Sequence, residues 1–322
     1  MNRYLFLILL AIFSVLSLLA ALSSGSSDAG LAELWLSLTG SGDSLESEVI
    51  LQLRIPRALA AFGTGAALAL AGAMMQVLLR NPLADPYILG TSGGAAVAAL
   101  LAMSFGTSVF FINTAAFAGA LLSTLLVFTL AQGATDRAPG RLLLTGVVVA
   151  AGWGAAISLI LALAPQQNLR GMLFWLMGDF SFTSSAWPAL GLAFVTVMIG
   201  LVIAPMLNLL ATGEQQAALL GVAVRPVRTV LYFLSSLLTA VAVTTAGSVG
   251  FVGLVTPHLV RLAAGSDHRV VLPGSAMAGG SLVVIADTLA RTVVAPQQLP
   301  VGALTALLGV PVFLLLLRRL GK

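Results

Sequence analysis

Residues 54–94 read RIPRALAAFGTGAALALAGAMMQVLLRNPLADPYILGTSGG, and this stretch decides the fold. Two arginines, Arg54 and Arg57, flank Pro56 at its start. From Ala58 to Leu79 the chain then carries no charge, over about a membrane's width. It closes on a polar knot, Arg80-Asn81-Pro82-Leu83-Ala84-Asp85-Pro86, and resumes as a Gly-rich apolar segment. A core helix of a soluble protein does not stay uncharged for so long, and a lone membrane anchor does not carry such a knot. The stretch predicts a transmembrane helix, a tight turn at one face of the bilayer and the start of the next helix. The two prolines mark the break between the spans.

The whole chain agrees. Its 322 residues are 59% hydrophobic and only 8% charged, where a soluble domain carries roughly a quarter charged residues. An all-α, polytopic integral membrane protein is expected, folded as a single transmembrane domain over residues 1–322. The net charge of +4 is spread one or two basic residues per loop, with no patch or stripe, which argues against nucleic acid. The absence of cysteine excludes disulfides, thiolate metal sites and cysteine nucleophiles. The single lysine is Lys322, so no phosphate-cradling Gly-Lys-Ser/Thr loop exists, and any ATP must be bound by another subunit.

Apolar segments lie at 4–22, 51–79, 87–104, 108–132, 142–164, 188–210, 227–248, 250–264, 271–292 and 301–317, which predicts about ten spans. The first run is longer than a signal-peptide core, so a retained helix is preferred to a cleaved leader. Ser23–Val49 is acidic and reads as an external loop, with room for a short interfacial helix around Leu31–Leu38. The segment after Gly247-Ser248-Val249-Gly250 is short and is expected to be a partial span. With the N-terminus inside, 11 of the 15 basic residues fall on inner loops, and Arg54, Arg57, Arg170 and Arg291 stay outside. Both termini are therefore expected in the cytoplasm. Ala71-Gly72 precedes Pro82 and Gly90 at the spacing by which Ala246-Gly247 precedes Pro257 and Gly265. Arg54/Arg57 and Arg225/Arg228 each open one half. This suggests two inverted halves, about 51–164 and 227–319.

Several residues stand out. Arg54 and Arg57 lie three apart and are expected to share one face at the outer end of the second span, and Arg291 ends the ninth. Interfacial snorkelling explains one such residue easily and three less well, so a positive outer surface that docks an acidic partner is preferred. Asp287 lies inside the ninth span, one turn before Arg291. An (i, i+4) ion pair accounts for it more simply than a proton relay does. Arg170 and Asp179 flank Phe174-Trp175-Leu176-Met177-Gly178 in a long outer loop, where aromatic anchoring at the interface suffices. His258 and His268 have no third ligand at metal spacing and no hydrolytic partners, and read as structural. Asn208–Val222, NLLATGEQQAALLGV, is an amphipathic inner loop, about 208–225 with its flanks. It is either a plain surface helix or a lever for a cytoplasmic motor.

Taken together, these stretches resemble the permease subunits of ABC importers for ferric siderophores, haem and cobalamin, the FecCD or vitamin-B12 type. The matching residues are Arg54-Ile55-Pro56-Arg57, Ala71-Gly72 with Gln76, and Asn81-Pro82-Leu83-Ala84-Asp85-Pro86 with Leu89-Gly90 and Ser92-Gly93-Gly94-Ala95. Further on come Gly213-Glu214 with Ala218 and Leu220-Gly221, then Gly250-Phe251-Val252-Gly253-Leu254 with Pro257-His258 and Arg261. Gly265, Asp267-His268-Arg269, Leu272-Pro273, Ala286-Asp287 with Arg291, Leu299-Pro300-Val301-Gly302, and Gly309, Pro311 and Phe313 complete the set.

The resemblance implies ten helices, a homodimer with the pathway at its interface, two cytoplasmic ATPase subunits, a periplasmic binding protein and a bacterial inner-membrane location. It makes Arg54, Arg57 and Arg291 similar to contacts with acidic residues of the binding protein. It makes Gly213, Glu214, Ala218, Leu220 and Gly221 similar to coupling helices that sit in the ATPase. Gly133–Arg141 would lie near the cytoplasmic gate. No catalytic residue, metal site or cofactor is implied. The chain is thus expected to move an intact metal chelate inward by alternating access. The rivals are a secondary transporter using Asp287 and a membrane-embedded enzyme, which lacks a nucleophile–base pair.

Overall fold

The computed structural model describes residues 3–24, 45–131, 139–183 and 185–320, and within them the chain is helical with no strand. The acidic stretch bearing Asp28, Glu33 and Asp43, the segment Leu31–Leu38, most of Gly133–Arg141, and Lys322 lie outside the described residues.

Helix α1 is Arg3–Ser23. A lead-in, Leu45–Val49, passes through one π turn, Ile50–Arg54, into α2, Ile55–Leu78. Pro56 sits in the first turn of α2, where its missing N–H has no helical partner to lose. The polar knot then forms as predicted. Arg80 takes a left-handed conformation (φ 48°), and Asn81 Oδ1 accepts the Leu83 N–H at 2.9 Å. Asp85 caps a 3₁₀ turn, Pro86–Leu89, by accepting the Tyr87 N–H at 2.8 Å. Gly90, at φ 68°, turns the chain into α3, Thr91–Ser104. Then follow α4 (Val109–Ala131), α5 (Pro139–Leu163), α6 (Gln166–Met177), α7 (Trp187–Thr212), α8 (Glu214–Leu219), α9 (Val224–Ala246), α10 (Val252–Ala264), α11 (His268–Thr292) and α12 (Val301–Leu320).

Seven of these helices are long and apolar enough to cross a membrane, and α3, α10 and Val301–Leu315 of α12 are shorter apolar stretches among the described residues. Each of the ten apolar segments read from the sequence thus becomes a helix. The third begins later than expected, because Pro86–Leu89 is spent on the 3₁₀ turn.

The bundle is built around α2, whose spanning window is 89% buried, against 6% for that of α5. α2 packs on α7, α9, α10 and α11. The closest approaches need glycine: a Cβ at Gly65 would overlap the Gly279 carbonyl of α11, and one at Gly72 would overlap the Gly253 carbonyl of α10. In lipid, close backbone packing of this kind replaces the hydrophobic drive that water would supply. α1 is part of the bundle, with Ser281 Oγ donating to Ser14 Oγ at 3.0 Å. α5 is attached through Trp153, whose Nε1 donates to Ser123 Oγ at 2.7 Å, and Ser123 Oγ donates in turn to the Gly90 carbonyl at 2.8 Å.

One stretch corrects the sequence reading. Residues 166–177 form a helix instead of a loop of interfacial aromatics, and Trp175 is 2% exposed. The Trp175 carbonyl meets Gly247, and the following Gly178 meets the Ser248 carbonyl. A tryptophan at a predicted loop end looks like an anchor, but here it packs inward beside the α9–α10 connection.

Candidate functional site

Two ends of the bundle carry charge. At the Arg57 end, Asp287 on α11 is 1% exposed. Its carboxylate accepts Nε and Nη2 of Arg57 at 2.9–3.2 Å and Nε of Arg291, one turn on, at 3.1 Å. A carboxylate has roughly four lone-pair sites, so one buried aspartate can hold two guanidiniums. Arg57 reaches further, donating to Gln298 Oε1 at 3.3 Å and lying 3.8 Å from Asp179 Oδ1. Asp179 also accepts the Ser181 N–H and hydroxyl at 3.0 and 2.9 Å, and its own N–H donates to the Ala246 carbonyl at 2.8 Å. This small network joins α2, α9 and α11 to the turn after α6 and the segment ahead of α12.

Arg54 and Arg57 take different partners. Arg54 is 6% exposed and donates to the Leu22 carbonyl of α1 at 2.9 Å. The side chains of Arg57 and Arg291 are 16% and 12% exposed. The local Asp287–Arg291 pair is present, but Arg57 is a second partner 230 residues away that the spacing did not indicate.

Beside this network lies an open depression of about 600 Å³. It is lined by Gln167, Arg170 and Phe174 of α6, by Asp179, and by Gln297 and Gln298 of the segment ahead of α12. Arg170 is exposed and rests over the Phe174 ring at 5.7 Å.

At the opposite, Arg3 end, Gly213 (φ 138°) ends α7 and starts the short helix α8. Glu214 opens α8 and pairs with Arg228 on α9 at 3.1 Å. Ala217 is buried, Ala218 is exposed, and Leu219 and Leu220 are 88% and 59% exposed ahead of the Gly221 turn. The expected lever is therefore a short helix braced on α9 that presents leucines outward. Asp267 ties this end together. It caps α11 through the Arg269 N–H, accepts Asn208 Nδ2 at 3.0 Å and pairs with Arg3 at 3.0 Å. The Asn208 amide, then the Arg269 N–H, hold its carboxyl below the usual carboxylate range.

The remaining motif residues are joining elements. Pro86 packs against Gly253, and the Tyr87 hydroxyl bonds both the carbonyl and the N–H of Val249. Asp85 lies in the turn outside the spans. Burial pushes its carboxyl up to about 6, against the lowering effect of the Tyr87 N–H. Arg261 of α10 donates to Gln76 Oε1 of α2, and Gln76 Nε2 donates to the Leu254 carbonyl at 3.2 Å. His258 follows Pro257 inside α10 and is 8% exposed. His268 shares its Nδ1 proton with Asn208 Oδ1 at 2.6 Å, because the amide nitrogen already donates to Asp267. No group of three or more His, Asp or Glu side chains suited to a metal occurs among the described residues.

The FecCD transport family matches residues 9–319. This chain belongs to the FecCD family. It is 41% identical over 318 residues to the hemin transport system permease protein HmuU of Yersinia pestis, covering 95% of this chain and 94% of that one. It is 42% identical over 293 residues to the vitamin B12 import system permease protein BtuC of Vibrio cholerae, covering 90% and 88%. A solved structure described as an inward-facing conformation of a metal-chelate type ABC transporter aligns with a TM-score of 0.83 at 31% identity, over 99% of this chain and 100% of that one. The FecCD-family fold of this chain is thus that of an ABC transporter permease, a multi-pass membrane protein.

Proposed function

We propose that this FecCD-family chain is the permease subunit of an ATP-driven importer that carries an intact metal chelate, such as cobalamin, a ferric siderophore or haem, from periplasm to cytoplasm. Near full-length similarity to haem and vitamin B12 permeases carries this reading. The two charged ends support it. The Arg57 end, with Arg54 and Arg291, faces a periplasmic binding protein. The α8 end, with Gly213, Glu214, Ala218, Leu220 and Gly221, faces a cytoplasmic ATPase. Exposed leucines at the tip of a short polar helix are suited to a protein contact. Two copies of the chain enclose the pathway, two ATPase subunits drive it, both termini are cytoplasmic, and the halves at about 51–164 and 227–319 are inverted repeats in the bacterial inner membrane. The chain performs no chemistry, and ATP in the partner reorients a two-state pathway.

The ion-driven alternative needs a carboxylate free to take up an ion. Asp287 is the intramembrane candidate, and its oxygens are occupied by Arg57 and Arg291. The deciding experiment is uptake into proteoliposomes containing this chain, a partner ATPase and a binding protein, with labelled cobalamin, ferric siderophores and haem offered in parallel. ATP-dependent accumulation of one of them is expected. Uptake driven by an ion gradient without ATP overturns the proposal.

A further inference from the structure

The three arginines expected to meet a partner are all held by groups of the chain itself. Arg54 is committed to the Leu22 carbonyl, and Arg57 and Arg291 to Asp287. The fourth arginine at this end differs. Arg170 is exposed on α6, and its guanidinium carbon lies 5.7 Å from the centre of the Phe174 ring. It lines the open depression of about 600 Å³ together with the exposed Gln297 and Gln298.

We propose that Arg170 and this depression form a docking socket for an acidic protrusion of a partner protein, separate from the Arg57–Asp287–Arg291 network. The inference rests on the permease reading above and adds a contact to it. Charge supports it. The charged residues that line the socket are Arg170, which is exposed, and Asp179, which lies 3.8 Å from Arg57. The Asp179 side chain is only 9% exposed, so an approaching surface meets Arg170 first. Asp179 is further occupied by Ser181. Glu48, on the lead-in to α2, is exposed and accepts from Gln52 at 3.0 Å, and is not among the residues that line the socket.

The chemistry also fits. A glutamate or aspartate entering the socket takes a charge-assisted bond from Arg170, while the Gln167, Gln297 and Gln298 amides, which both donate and accept, satisfy neighbouring polar groups. The lining residues come from different parts of the chain, and Gln298 already accepts from Arg57. An occupant therefore touches the network at its edge without breaking the buried Asp287 bonds.

The test uses the whole chain in nanodiscs with its ATPase and the binding protein that supports uptake in the experiment above. Affinity of that binding protein is measured for the parent chain, Arg170→Glu and Arg170→Gln, in neutral phosphatidylcholine discs and in discs containing phosphatidylglycerol. Arg170→Glu is expected to weaken binding on the order of tenfold at low salt in both lipids, less at high salt, with Arg170→Gln between. Arg170 is exposed, so both variants are expected to elute as the parent does. Unchanged affinity for both variants overturns the socket and leaves the permease reading intact. An effect confined to phosphatidylglycerol discs also overturns it and assigns Arg170 to lipid headgroups. If the parent chain itself captures no binding protein, the permease reading fails first.

Discussion

Asp287 holds two guanidiniums while itself almost fully buried, so each partner depends on the others. Asp287→Asn keeps the shape but removes the negative charge between Arg57 and Arg291. Removing one member of a buried ion pair costs roughly 3–5 kcal/mol, and loss of that order is expected in detergent unfolding of this variant. A melting profile equal to the parent's contradicts it. Asp85 makes a second residue-level prediction. Its native carboxyl titrates near 6, against 3.8 when unperturbed. The folded chain thus binds the proton more tightly than the unfolded chain does. Its contribution is fully present below pH 3.8 and falls as pH rises to about 6, by on the order of 3 kcal/mol. Asp85→Asn keeps the acceptor for the Tyr87 N–H and is expected to flatten that slope in melting temperatures measured across this window. At this scale the sequence was informative about which side chains matter and silent about whom they touch. Arg57, Asp287 and Asp179 were all singled out, but their meeting depends on helices far apart in the chain.

Between elements, the decisive contacts are glycine on backbone. Gly72→Ala is expected to prevent folding, because its methyl group has only the Gly253 carbonyl to occupy. Gly152→Ala on α5 meets nothing within 4 Å and is expected to be neutral. Yields of monodisperse protein from the two variants separate them, and equal yields dismiss the argument. Helix existence was legible because an uncharged run about a bilayer long has few other fates. The helix α6 was not. Its polar first turn and its tryptophan suit an interfacial loop equally well, and only the buried seat of Trp175 beside the α9–α10 connection distinguishes the two. The π turn at Ile50–Arg54 was likewise hidden, since its residues are as apolar as those of an ordinary helix.

Across the whole molecule, the Arg3 and Arg57 ends are joined by α9, which carries Arg228 at one end and Ala246 at the other. Glu214 braces α8 on the first, and Asp179 bonds the second. Glu214→Ala together with Leu220→Asp is expected to leave binding-protein capture intact and to separate ATP hydrolysis from uptake in proteoliposomes. Tight coupling in that variant removes α8 from the drive path. The glycine seams along α2 have one more consequence. Side chains can swap rotamers and let helices slide past one another, whereas two backbones in contact have nothing to rearrange. α2, α10 and α11 therefore form a keel whose helices do not slide past one another. The same kind of contact ties α4 to α3 at Gly94 and Gly119, and α5 to the 3₁₀ turn at Gly146, so a change of shape that keeps these seams moves whole blocks of helices together.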